Sequence, residues 1–113
     1  MSRKHEEFMS IAIEEAQKAL EAGERPIGAV VARDGEVVAR AYSIVSTSGD
    51  PTAHSEVTAI RNAAAALNSP DLKGCTLYTS CEPCPMCVGA MLFANIDTLV
   101  IGASSEVLLR VLR

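Results

Sequence analysis

Cys81, Cys84 and Cys87 stand three residues apart in the stretch CEPCPMC, and His54 stands thirty residues before the second of them. Thiolate and imidazole are the side chains that bind borderline-soft metals. Four chemistries compete for them: a disulfide, an iron–sulfur cluster, a closed metal cage, or a metal with one position left open. The cluster run needs a fourth cysteine and a following proline. Position 91 is Met91, and Cys75 lies upstream on an expected strand.

The two later cysteines form C-x-x-C where a helix should start, because Pro83 or Pro85 suits a first turn. Residues three apart share a helical face, so both sulfurs can reach one ion. Unpaired backbone N–H groups and the helix dipole favour thiolate there. His54 opens another expected helix in DPTAHSEV. If both helices direct their N-termini at one point, His54, Cys84 and Cys87 supply three ligands, and a tetrahedral zinc keeps one position for water.

Two thiolates neutralise a dication, so such a centre acidifies water less than an all-histidine one, and a nearby base becomes useful. Glu56, two residues after His54, is that base: it can take a proton from water and later deliver it to a substrate. A closed cage of His54 with all three cysteines stays open as a rival. Against it, Cys81 precedes the expected helix and Pro83 intervenes. His5 is expected to be solvated, and Met86, Met91 and Phe93 are expected to pack in the core.

The elements that must position these groups follow from periodicity. Phe8, Met9, Ala12, Ile13, Ala16, Ala19 and Leu20 recur at helical spacing over 6–22, and Gly23 is a stop. Two strand-like runs flank Asp34-Gly35, a hairpin signal. STSGDP reads as a polar loop, Thr52 to Leu67 as a helix, and CTLYTS as a strand. A helix from Pro83 or Pro85 to about Asn95, a strand DTLVIGA and a short terminal helix SEVLLRVLR complete the order. The alternation implies a layered α/β domain in which helices cover one sheet. The first strand pair should be antiparallel, and the strand–helix–strand segment parallel with a right-handed crossover.

At 113 residues the chain is expected to form one domain, 1–113. Hydrophobic residues make up 49% and charged residues 21%, which excludes a disordered chain; with 4% aromatics and no Trp, aliphatic side chains must fill the core. The net charge is −4 and no Lys/Arg run exceeds two, which argues against a long polyanion as main partner, although a patch assembled in three dimensions stays open. Glu6, Glu7, Glu14 and Glu15 interrupt any signal-peptide core, and no stretch of 18 apolar residues occurs. A cytoplasmic location is therefore expected, with no membrane partner. Disulfides are uncommon there, which demotes that reading of the cysteines.

His54-x-Glu56 followed by Pro83-Cys84-x-x-Cys87 resembles the signature of zinc nucleobase deaminases. The chain is similar to the cytidine-deaminase-like superfamily over nearly its whole length. The resemblance implies a three-layer α/β/α sandwich around a central mixed sheet, with one Zn²⁺ per chain held by His54, Cys84 and Cys87. It implies a hydrolase acting on cyclic amidines, deaminating an amino-substituted nucleobase or nucleoside, with Glu56 as proton shuttle. DPTAHSEVTAIR and LYTSCEPCPMCVGAM look most like bacterial guanine deaminases, while PIGAVV, DPTAH and EPCPMC are similar to tRNA adenosine deaminases too.

By the same resemblance Ala29, in the PIGAV segment, would stand near the substrate, and the backbone of Ser55 would face the base. Position 55 is more often Ala in these families, a change expected to leave the chemistry intact. Both families usually carry an Asn eleven residues before the zinc histidine; here it is Ser43, whose single hydroxyl cannot offer the same paired donor and acceptor to the base. Related enzymes continue well past position 113 with a tail that closes the site. The expectation is an unusually open pocket, one covered by a partner subunit, or a shortened form. A homodimer is expected, with VLLRVLR as one possible interface. Guanine is the expected substrate; a tRNA adenosine deaminase and a non-catalytic zinc-stabilised module are the alternatives.

Overall fold

The computed structural model describes residues 3–103 and 106–111. In chain order the elements are α1 (Arg3–Glu21), β1 (Gly28–Arg33), β2 (Glu36–Tyr42), α2 (Val45–Ser48), α3 (Ser55–Leu67), β3 (Thr76–Thr79), α4 (Pro85–Phe93), β4 (Thr98–Ala103) and β5 (Glu106–Val111). Asp34 and Gly35 both take positive φ, 54° and 80°, the geometry of a two-residue hairpin turn, so β1 and β2 pair antiparallel with Arg33 opposite Glu36. β1 pairs antiparallel with β3 on its other side, and β3 pairs parallel with β4 across α4. The result is a mixed sheet in the order β2-β1-β3-β4-β5.

Both faces of the sheet are covered, and the strand residues alternate between two cores. Val30, Ala32, Tyr78 and Val100 pack with Phe8, Met9 and Ala12 of α1. Ala29, Val31, Leu77, Leu99 and Ile101 point the other way, into a core closed by Ala59, Ile60 and Ala63 of α3 and by Met91 of α4. This is the expected three-layer α/β/α sandwich. It also explains why the inner strands read as continuous apolar runs. Burying each of the larger side chains contributes about 1.5–3 kcal/mol.

Close packing of α1 on β1 dictates one glycine. A Cβ on Gly28 would stand 2.1 Å from the Ala12 carbonyl oxygen and 2.5 Å from the Ala16 nitrogen. Backbone lies there on backbone, leaving room only for hydrogen.

Four expectations change. Glu106–Val111 pairs antiparallel with β4 as a fifth strand instead of forming a terminal helix; the remaining positions of that stretch lie outside the described residues. The edge of β4 offers a full ladder of backbone partners, and tertiary pairing of this kind overrides a local helical pattern. Phe93 is 92% exposed, because Cys87 and Met91 take the inward face of α4 and a residue two positions from Met91 must turn away. His5 is half-buried, with Nδ1 2.6 Å from the Tyr78 hydroxyl. Ile13 and Leu20 are exposed, and the charged Glu15 is buried in their layer. No helix among the described residues is long and apolar enough to cross a membrane.

Candidate metal centre and cavity

Two loops, each locked by short-range hydrogen bonds, bring the chemistry together. Before α3, the Asp50 carboxylate accepts hydrogen bonds from the Thr52 amide (2.8 Å) and hydroxyl (2.7 Å), and the His54 amide donates to the Thr52 carbonyl at 2.8 Å. His54 is then the N-cap of α3, in extended conformation, and its side chain makes no capping bond. Its ring is left free to point elsewhere. After β3, the Thr79 hydroxyl donates to the Cys81 carbonyl at 2.8 Å. Gly28 donates to the Ser80 hydroxyl, and the Ser80 amide returns a bond to the Gly28 carbonyl, both at 3.0 Å. That turn is thereby riveted to β1. Cys84 becomes the N-cap of α4, and Pro85 sits in its first turn.

The two helix starts converge. Cys84 Sγ lies 3.5 Å from Cys87 Sγ, and His54 Nδ1 lies 3.6 Å from the first sulfur and 3.7 Å from the second. A tetrahedral zinc with sulfurs at about 2.3 Å and a nitrogen at about 2.05 Å sets its donors about 3.8 Å (S···S) and about 3.6 Å (N···S) apart. The three donors fit the ion, and the cluster could hold zinc. The electrostatics agree. Burial pushes the Cys87 thiol up, with the Glu56 carboxylate and the Cys84 sulfur adding to the effect, so a thiolate there requires a nearby cation.

Cys81 stands outside this cluster: it is exposed, and the grouped metal-binding side chains among the described residues are His54, Cys84 and Cys87 alone. All four cysteines are free thiols, which removes the disulfide. With three protein donors in the cluster, neither a four-cysteine run nor a closed four-ligand cage is assembled.

A cavity of about 280 Å³ opens beside the cluster. His54, Cys84 and Glu56 line it, as do Ser43 and Ser55. Glu56 and Ser55 are buried, and the Ser55 hydroxyl donates to Glu56 Oε1 at 2.7 Å. Ser43 is only 3% exposed and presents to the cavity wall. Ala29 is not brought to it: it is fully buried in the core on the α3 side of the sheet.

Glu24 is a wall residue that sequence reading passes over. Its carboxylate accepts from the Ser46 and Thr47 amides and from the Thr47 hydroxyl, tying the segment after α1 to the first turn of α2 across the cavity. These bonds hold its carboxyl below the usual range, the Thr47 hydroxyl first among them. Its nearest signal in the sequence was position: a charge just past the helix-stopping Gly23, too common to single out.

Residues 2–103 match the family model described as the cytidine and deoxycytidylate deaminase zinc-binding region. The chain is 50% identical over 92 residues to a guanine deaminase of Bacillus subtilis, covering 80% of this chain and 59% of that one. It is 46% identical over 96 residues to a tRNA-specific adenosine deaminase of the same organism, covering 85% of this chain and 60% of that one. The X-ray structure of the guanine deaminase from Bacillus subtilis superimposes with a TM-score of 0.85 at 45% identity, over 91% of this chain and 65% of the other. The chain thus spans about three-fifths of the length of the two curated relatives.

Proposed function

Since this chain belongs to the family of cytidine and deoxycytidylate deaminase zinc-binding regions, we propose that it hydrolytically deaminates a free nucleobase or nucleoside, guanine foremost, acting as a single domain over 1–113. The observation that carries this reading is one cavity lined by two members of the metal-binding trio and by Glu56. His54, Cys84 and Cys87 would hold zinc, which when bound supplies a Lewis acid that makes water a nucleophile near neutral pH.

The chain's own residues do the rest. Water oxygen bonds to the ring carbon bearing the amine; the proton it sheds passes to the Glu56 carboxylate, which returns it to the adjacent ring nitrogen. The remaining proton of the added hydroxyl passes through the same carboxylate to the amine, the carbon–nitrogen bond breaks, and ammonia leaves as the ring carbonyl forms. Ser43 offers one hydroxyl to the edge of the base, and the backbone of Ser55 faces it. The Glu24 tether holds the opposing wall. Burial of Glu56 limits its contact with bulk water during transfer.

The net charge of −4 and a cavity of about 280 Å³ favour a free base over a folded polyanion. The 46% identity to a tRNA-specific adenosine deaminase supports a second reading, adenosine deamination within a tRNA. We read the protein as a cytoplasmic homodimer, for which sedimentation of the zinc-loaded protein is the check.

Ammonia release from guanine, adenine, cytosine and their nucleosides tests the reading, with guanine expected to be turned over fastest. A zinc-loaded protein that releases none from any of them is not a deaminase of free bases. An anticodon stem-loop that shifts on a gel at low salt, and loses its amine, would move the assignment to the tRNA reading.

A further inference from the structure

The residue between His54 and Glu56 is expected from sequence to be a passive replacement for alanine, yet its hydroxyl makes one specific bond. Ser55 is fully buried at the first position of α3, and its Oγ donates to Glu56 Oε1 at 2.7 Å. Capping does not explain it, because the helix carries no side-chain cap bond. Nor is the pairing a by-product of helix geometry. Successive helical residues diverge by about 100°, so neighbours meet only when both side chains adopt selected rotamers.

Glu56 is 4% exposed, and Oε2 has no protein donor among the described residues. It is also not among the enclosed, unpartnered atoms, where only the Thr58 hydroxyl is found among the described residues. The two carboxylate oxygens are therefore unequal: Oε1 is fixed by the serine, and Oε2 is left for the cavity that Glu56 lines.

We propose that Ser55 is a positioning residue that pins Oε1 of Glu56, so that the carboxylate presents Oε2 to the reacting molecule in one orientation. This rests on the reading of Glu56 as proton shuttle. A carboxylate with three freely rotating side-chain torsions spends part of its time misdirected; a buried hydroxyl donor removes that freedom before substrate arrives. The consequence falls on turnover. Binding of the base, which uses other atoms of the wall, should be nearly unaffected.

The experiment compares wild type with Ser55→Ala, both zinc-loaded. The expected result is a kcat lower by about tenfold, a KM within about twofold, and unchanged zinc content and melting temperature. In crystals of the variant, Glu56 should occupy more than one rotamer, where wild type shows one. A variant with wild-type kcat overturns the proposal, as does a loss of activity that merely follows lost zinc. Should wild type itself release no ammonia from any base, the functional reading fails, and the crystals still decide this point. One shared carboxylate orientation in both proteins overturns it, and a dispersed one in the variant supports it.

Discussion

At the scale of single residues, equal spacing conceals unequal roles. Cys81, Cys84 and Cys87 repeat every three positions, but Pro85 starts a helix between the second and third. Cys84 and Cys87 are thereby set on one side of a first turn, while Cys81 remains in the preceding turn, held by Thr79. Metal content of the purified variants should follow that division. Cys87→Ser is expected to lose zinc and Cys81→Ser to retain about one equivalent by elemental analysis; equal loss in both would point to a four-ligand cage. Glu56→Gln separates holding the metal from moving the proton. It should keep zinc and lose turnover by about 10²–10⁴-fold, and a variant with unchanged turnover would identify a non-catalytic module.

At the scale of elements, the sandwich depends on how α1 lies on β1 and β2. Gly28→Ala drives a methyl into the α1 backbone. Urea denaturation should register a loss of at least about 1–3 kcal/mol, with α1 displaced if the variant folds. Glu15 ties the same helix to β2, accepting from Lys18 at 2.8 Å and from Arg40 at 2.7 Å. Burial by itself would raise its carboxyl, but the Lys18 and Arg40 bonds and charges outweigh it and hold the group below its ordinary 4.5. A carboxyl depressed in the fold contributes stability above its unfolded value, and that contribution is lost as pH falls through the folded value. The urea midpoint of wild type should therefore drop as pH falls below about 4.5, and Glu15→Gln should show a shallower drop. Identical slopes would mean that the ion pairs are too screened to matter.

At the scale of the whole molecule, the metal centre is a cross-link between two helices of one layer of the fold. His54 precedes α3, Cys84 and Cys87 begin α4, and both helices pack on the same face of the sheet. An ion held by all three fastens the two helix starts together and binds the folded chain in preference to the unfolded one. Removing zinc with a chelator should lower the melting temperature by at least about 10 °C, and added zinc should restore it in a concentration-dependent way. No shift in calorimetry would show that the ion adds nothing to folding. The same placement leaves the cavity bounded by the segments that follow α1, β2 and β3 and by the start of α3, so its wall depends on elements far apart in the chain.

How much of this was written in the sequence differs from feature to feature. Metal chemistry admits few residue types, and a helix start imposes a spacing, so His54, Cys84, Cys87 and Glu56 could be picked out before any coordinates. Periodicity was enough for α1, the hairpin at Asp34-Gly35, the parallel β3–β4 pair and the layered order, because both cores leave an apolar imprint on β1, β3 and β4. Short apolar stretches carry no such imprint. The strand at Glu106–Val111 and the outward Phe93 were decided by which edge and which face remained available once the sheet had formed. Ala29 went to the core for the same reason. The bonds from Glu24 to Ser46 and Thr47 and from Ser55 to Glu56 depend on side-chain direction, which sequence spacing does not specify. Composition and local pattern thus determined what the chain could bind and how its elements run, whereas the folded structure alone decided which polar atoms face one another, since those partnerships exist only after packing fixes each side chain.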